Sequence, residues 1–102
     1  MQSKIVGIAW YRPETYARLI TMFEDGEKLH RTYEDWLVDA ERARKSYEVA
    51  GIKVVCVDID PDKFPKWCIE NGHRLNAKAR SDYANIVACY AETGGIISVA
   101  VN

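Results

Sequence analysis

Three aspartates stand at alternate positions where an apolar run turns polar: Asp58, Asp60 and Asp62 in the stretch VVCVDIDPDKFPKWC. Carboxylates at that spacing are what a divalent cation or a phosphoryl-transfer site would use. A calcium loop begun at Asp58 puts Asp60 and Asp62 at its third and fifth places. It then requires glycine at the sixth and a bidentate glutamate at the twelfth, where the chain has Lys63 and Ile69. The calcium reading fails on both. Local structure accounts for the stretch better: Asp60 is a favoured helix N-cap, Pro61 a favoured first helical residue, and Asp62 a first-turn acid that complements the helix dipole. Asp58 is left over, to be solvated, paired with a base, or functional.

An apolar strand followed by Asp58-Ile59-Asp60 also resembles the first motif of haloacid-dehalogenase-like phosphatases, where one aspartate is the nucleophile and the next a general acid. The chain departs from that motif at once. Pro61 and Asp62 stand where the family has a small residue and then Thr or Val, and Pro61 withholds an N–H that a phosphate would use. No activity is carried over.

Zinc chemistry has its ligand types in Cys56, Cys68, His73 and Cys89, but eleven, four and fifteen residues intervene and no Cys-x2-Cys knuckle exists. No metal and no cofactor are expected. No cysteine sits at a helix start that would lower its thiol pKa, so a Cys–His nucleophile is not expected either. The one glycine pair, Gly94-Gly95, follows a helical pattern instead of opening one, which removes phosphate-loop logic. His73, Arg74, Lys78 and Arg80 gather at the start of a predicted helix, where cations oppose the dipole; such a cluster suits an acidic partner. With 14 Lys+Arg against 15 Asp+Glu, however, the chain has no field to draw in nucleic acid or an acidic membrane.

Trp10-Tyr11-Arg12 is the other candidate site, two large aromatics and an arginine closing an apolar run. Arg12 can pair with Asp58 or Asp60 across neighbouring strand ends. Alternatively it can hold a carboxylate or phosphate with Trp10 or Tyr11 stacked beside it. The first arrangement is structural, the second a ligand site made of Trp10, Tyr11, Arg12, Asp58 and Asp60.

These residues are positioned by an expected β-α-α-β-α-α-β order. Residues 5–11 (IVGIAWY) and 52–59 (IKVVCVDI) read as strands, the first apolar throughout as in a sheet covered on both faces. Pro13 suits the first turn of a helix carrying Tyr16, Leu19, Ile20 and Phe23, stopped by Asp25-Gly26. Thr32 is placed to cap a second helix with a stripe of Tyr33, Trp36, Leu37, Ala40, Ala43 and Tyr47, ending before Gly51. Asp60 caps a third helix from Pro61 to Asn71-Gly72. Asn76 caps a fourth, with Ala79, Tyr83, Ile86, Val87 and Tyr90 as its seam. Residues 96–101 (IISVAV) are a short β-branched run suited to a third strand. The halves echo each other in Pro13/Pro61 and Gly51/Gly94, which ordinary helix junctions explain.

The expected fold is therefore a small single α/β domain over residues 1–102, with a three-stranded, mainly parallel sheet flanked by helices. Right-handed crossovers join its strands, and ligands in such sheets sit beyond the carboxyl ends. Three cysteines, an odd number without close pairing, point to free thiols in the cytoplasm; no membrane span or signal peptide is read. The second helix carries more aromatic surface than three strands cover. Tyr33, Trp36, Leu37 and Tyr47 are accordingly expected at a homodimer interface. The function expected is protein–protein contact without catalysis, the alternative a small anionic ligand at the strand ends.

Overall fold

The computed structural model describes residues 4–93. Its elements run β1 (Ile5–Trp10), α1 (Tyr16–Met22), a 3-10 turn (Gly26–Lys28), α2 (Tyr33–Val49), β2 (Lys53–Asp58), α3 (Lys63–Glu70) and α4 (Ala77–Thr93). This is a small α/β fold of four helices and two parallel strands. The third strand expected at 96–101 lies outside the described residues.

Local chemistry sets the helix ends. The Thr32 hydroxyl accepts the Asp35 N–H at 3.1 Å, and the Asn76 side chain accepts the Ala79 N–H at 3.0 Å, both as capping residues should. Regular helix begins later than Pro13 and Pro61. The N–H groups of Thr15 and Tyr16 both turn back to the Arg12 carbonyl, so α1 starts only at Tyr16. Asp60 Oδ1 accepts from Asp62 and Lys63 at 2.8 Å each, capping a turn that settles into α3 at Lys63. Two helices close alike. After α2, Ile52 N–H reaches the Tyr47 carbonyl and Gly51 N–H that of Glu48, both at 3.0 Å, with Gly51 at φ +81°. After α3, His73 N–H reaches Cys68 at 2.8 Å across Gly72, at φ +68°. Both are Schellman ends, which need the left-handed conformation that glycine adopts without strain.

β1 and β2 pair in register from Ile5↔Lys53 to Trp10↔Asp58. The Lys53 N–H donates to the Lys4 carbonyl at 2.9 Å and the Ile59 N–H to the Trp10 carbonyl at 3.0 Å. Even-numbered residues of β1 and odd-numbered residues of β2 therefore turn their backbone groups to the common seam. The odd residues of β1 and the even residues of β2 turn theirs to the two outer edges.

Side chains divide by the same parity. On the odd face, Val57 and Val55 pack with Ala84, Ala88, Tyr83 and Val87 of α4. On the even face, Trp10 meets Trp36 of α2 edge-on, ring centroids 5.1 Å apart. α4 comes so close to β1 that a Cβ at Gly7 would lie 2.0 Å from the Ala84 carbonyl oxygen. That closeness corrects the expected seam of α4. Its buried line is Ala79, Ala84 and Ala88, residues small enough for the approach, while Ile86 and Tyr90 are partly exposed at 44% and 46%.

The main core is aromatic and lies at the carboxyl end of the sheet. Tyr11 is its centre, with ring centroids 4.7 Å from Trp36, 5.7 Å from Tyr16 and 6.0 Å from Phe23. Phe23 in turn meets Phe64, and the Tyr16 hydroxyl donates to the His30 carbonyl. Arg80 enters this core from α4, its side chain 7% exposed. Its guanidinium donates two bonds of 2.8 Å to Asp25 and lies 4.3 Å over the Phe23 ring. Planar, bidentate pairing suits an arginine that must be buried.

Candidate functional site

The strand ends bring Arg12 and Asp58 together: Arg12 Nε lies 3.2 Å from Asp58 Oδ1, with side chains 61% and 38% exposed. Beside them lies a pocket of about 360 Å³ lined by Arg12, Cys56, Asp58, Asp60, Lys63 and Tyr83 together with three valines. The helical connections leaving β1 and β2 place α2 and α4 on opposite faces. The pocket lies at the carboxyl ends of the two strands, the usual ligand position in open parallel sheets.

The other expected members are spent elsewhere. Trp10 is half-buried against Trp36, and Tyr11 is buried at 3% exposure, so neither ring is offered to a ligand beside Arg12. Burial pushes the Tyr11 hydroxyl up to about 12, against the partial opposition of Arg80. Asp60 uses one carboxylate oxygen as a cap, and those backbone N–H donors hold its carboxyl below the usual range. What remains is an exposed ion pair, one lysine, the half-buried Tyr83 and the Cys56 thiol, whose pKa is pushed up by partial burial, so the pocket offers no activated nucleophile. The pocket can hold a small polar group. An exposed pair of this kind contributes at most about 1 kcal/mol. Arg12→Ala is therefore expected to lower the melting temperature by no more than about 8 °C, read by circular dichroism.

The basic cluster is absorbed within the fold. Arg80 pairs with Asp25, Arg74 with Glu24 at 2.9 Å and Lys78 with Asp82 at 2.7 Å, while His73 stacks on Trp67 at 4.8 Å. The expected interface residues are likewise drawn inward. Trp36 is buried, and Tyr33 and Leu37 are half-buried against the same core; only Tyr47 is exposed, at 39%. The aromatic excess of α2 is covered by Tyr11 and Tyr16 from the β1–α1 segment, a cover that strand counting left out.

Cys68 is buried, but Cys56, expected inside an apolar strand, is exposed. Its partial burial still pushes the thiol up, opposed by Arg44, which leaves no activated thiolate. Among the described residues no three His, Cys, Asp or Glu side chains gather to hold a metal ion, and no helix is long and apolar enough to cross a membrane.

Sequence reasoning missed the two outer sheet edges. Among the described residues no strand pairs with either. The β1 edge floors a groove of about 310 Å³ between Ala43 and Tyr47 of α2 and Ala77, Ser81 and Asn85 of α4. There the Gly7 N–H donates to Asn85 Oδ1 at 2.8 Å, a side chain standing where a strand would be. The β2 edge carries the outward backbone groups of Val54, Cys56 and Asp58. The signal available in the sequence was KVVCVD itself, an apolar strand charged only at its ends. No family model, curated protein or solved structure matches this chain.

Proposed function

We propose that this is a cytoplasmic protein that works through protein contacts as a homodimer, joined by the outer edge of β2. The observation that carries the reading is that edge: Val54, Cys56 and Asp58 turn their backbone groups outward with no strand beside them among the described residues. An unpaired apolar edge is a template for another strand and is normally blunted or covered. A second copy is the fitting cover. A two-fold axis pairs β2 with itself antiparallel, setting the basic Lys53 end of one strand beside the acidic Asp58 end of the other. In this reading the sheet that the dimer continues has three strands in each subunit, residues 96–101 supplying the third. The free thiols Cys56 and Cys68 suit a reducing compartment.

Sedimentation equilibrium tests the proposal. The wild type is expected at twice the chain mass. Cys56→Pro is expected at the chain mass with its far-UV spectrum kept, because proline removes only an outward N–H from an edge. A wild type that stays at the chain mass at all concentrations, or a Cys56→Pro variant that dimerises as well as the parent, contradicts it.

A second reading has its own observation, the polar pocket at the strand carboxyl ends with Arg12 and Lys63 among its lining residues. It is a site for a small anion, with Arg12 holding the charge. Inorganic phosphate bound by the wild type and lost in Arg12→Ala, at little cost in melting temperature, supports it; absence of binding removes it.

A further inference from the structure

We infer that residues 96–101 (IISVAV) of this same chain seat in the groove along β1 and pair with it in parallel, giving the strand order 3-1-2. The inference concerns the opposite edge from the proposed dimer contact and stands without it.

Crossover handedness fixes the edge. The connection from β1 to β2 travels over the even face, where α2 lies. The connection leaving β2 travels over the odd face, where α4 lies. Parallel crossovers are right-handed in about 98% of cases. Two crossovers of one hand on opposite faces must move in opposite directions across the sheet. A strand after α4 is then carried back past β1, not outward beyond β2. The position of α4 agrees, since its closest approach is to β1, where Ala84 stands against Gly7.

The direction of α4 agrees as well. Arg80 lies beside Tyr11 at the carboxyl end of β1, and Ala84, one turn later, lies against Gly7. α4 therefore runs antiparallel to β1 and reaches Thr93 toward the end where the strands begin. The sequence Gly94-Gly95 favours a turn, and the run that follows, 96–101, has the same six-residue length as β1. Returning along β1 from that end makes the pairing parallel.

Side-chain sizes fit the groove. β1 shows its small residues, Gly7 and Ala9, to the α4 side, because the helix is so close there. In IISVAV the small residues Ser98 and Ala100 share one face with Ile96 at its start, and Ile97, Val99 and Val101 share the other. Setting 98 and 100 toward α4 places Ile97, Val99 and Val101 on the side of Ala43 and Tyr47, which line the groove there. The segment carries no charge and one polar side chain, the Ser98 hydroxyl, and the outward groups of Ile5, Gly7 and Ala9 would pair its backbone. Asn85, now holding the Gly7 N–H, would give it up to the incoming strand.

Amide exchange of the full chain, read residue by residue by NMR at a dilution where the protein is monomeric, tests this. The Ile5 and Ala9 amides are expected to exchange at least about tenfold more slowly in the wild type than in Val99→Pro, the factor set by 1.4 kcal/mol of opening free energy. Equal rates in the two proteins overturn the inference. So does protection that vanishes on dilution, because the strand would then come from another copy. Should Val99→Pro lose the fold, cross-strand NOEs between β1 and residues 96–101 in the wild type decide: present they support the pairing, absent they overturn it.

Discussion

Arg80→Ala is expected to destabilise the protein by about 3–5 kcal/mol, a large share of the roughly 5–15 kcal/mol that holds a domain of this size folded. The substitution takes from the Asp25 carboxylate its bidentate partner, leaving only the weaker influence of Lys28, and it removes the guanidinium from over Phe23. Most of the loss comes from the uncompensated acid, so Arg80→Ala combined with Asp25→Ala should recover part of it. Urea titration of the three variants reads this; a loss of under 1 kcal/mol in the single variant would contradict the geometry. The pair also sets a pH response. The bonds from Arg80 hold the Asp25 carboxyl below the usual range, against the opposing effect of burial. A folded-state pKa below the unfolded one gives stability that is full above the ordinary carboxylate range of about 3.9 and lost as pH falls through the folded value. Tyr11 acts at the other end. Its pKa, raised to about 12 from 10.0, gives stability that is full below pH 10.0 and lost as pH rises toward 12. Asp25→Asn should flatten the acid arm and Tyr11→Phe the alkaline one.

Gly7→Ala is expected to cost at least about 3 kcal/mol, at the top of the range for overpacking. The new Cβ would meet the Ala84 carbonyl oxygen at 2.0 Å and the Asn85 nitrogen at 2.9 Å. Both are helix backbone and cannot swing aside, so α4 must lift from β1 and open the contacts of Ala84 and Ala88 with Val57. Gly51→Ala is the control. It has φ +81° but nothing within 4 Å of a new Cβ, and should lose only the roughly 1–2 kcal/mol of a strained left-handed residue. Thermal denaturation of both variants separates steric from conformational cost. Equal losses would mean that α4 does not sit where the Gly7 contact puts it.

The sequence was most legible where one residue's chemistry decides a local event. Thr32, Asn76 and Asp60 each cap the turn they precede, because an N-cap needs only a short acceptor and the following N–H groups. Gly51 and Gly72 end helices for an equally local reason. Legibility failed where a residue's role depends on what arrives from far away. Arg80 reads as a surface cation until Asp25, 55 positions earlier, is brought to it. Trp36 reads as surplus aromatic surface until Tyr11 and Tyr16 cover it. Ile86 and Tyr90 fit a helical seam by spacing, yet alanines take the buried line, since the separation of α4 from β1 is set by a glycine on the strand. At the strand ends the Arg12–Asp58 pair was foreseen as one of two partners. That Trp10 and Tyr11 turn away from it followed from the aromatic core, which no local pattern describes.

The central claim, that two copies meet at the β2 edge, is tested most directly by residue-resolved amide exchange across a concentration series. The outward amides of Val54 and Cys56 are the probes, and the seam-facing amides of Val55 and Val57 are the internal reference. The expected result is protection of Val54 and Cys56 that rises with concentration in step with the dimer mass, while Val55 and Val57 stay protected throughout. Fast exchange of Val54 and Cys56 at every concentration, in a protein that sediments as a dimer, would place the interface elsewhere and contradict the account.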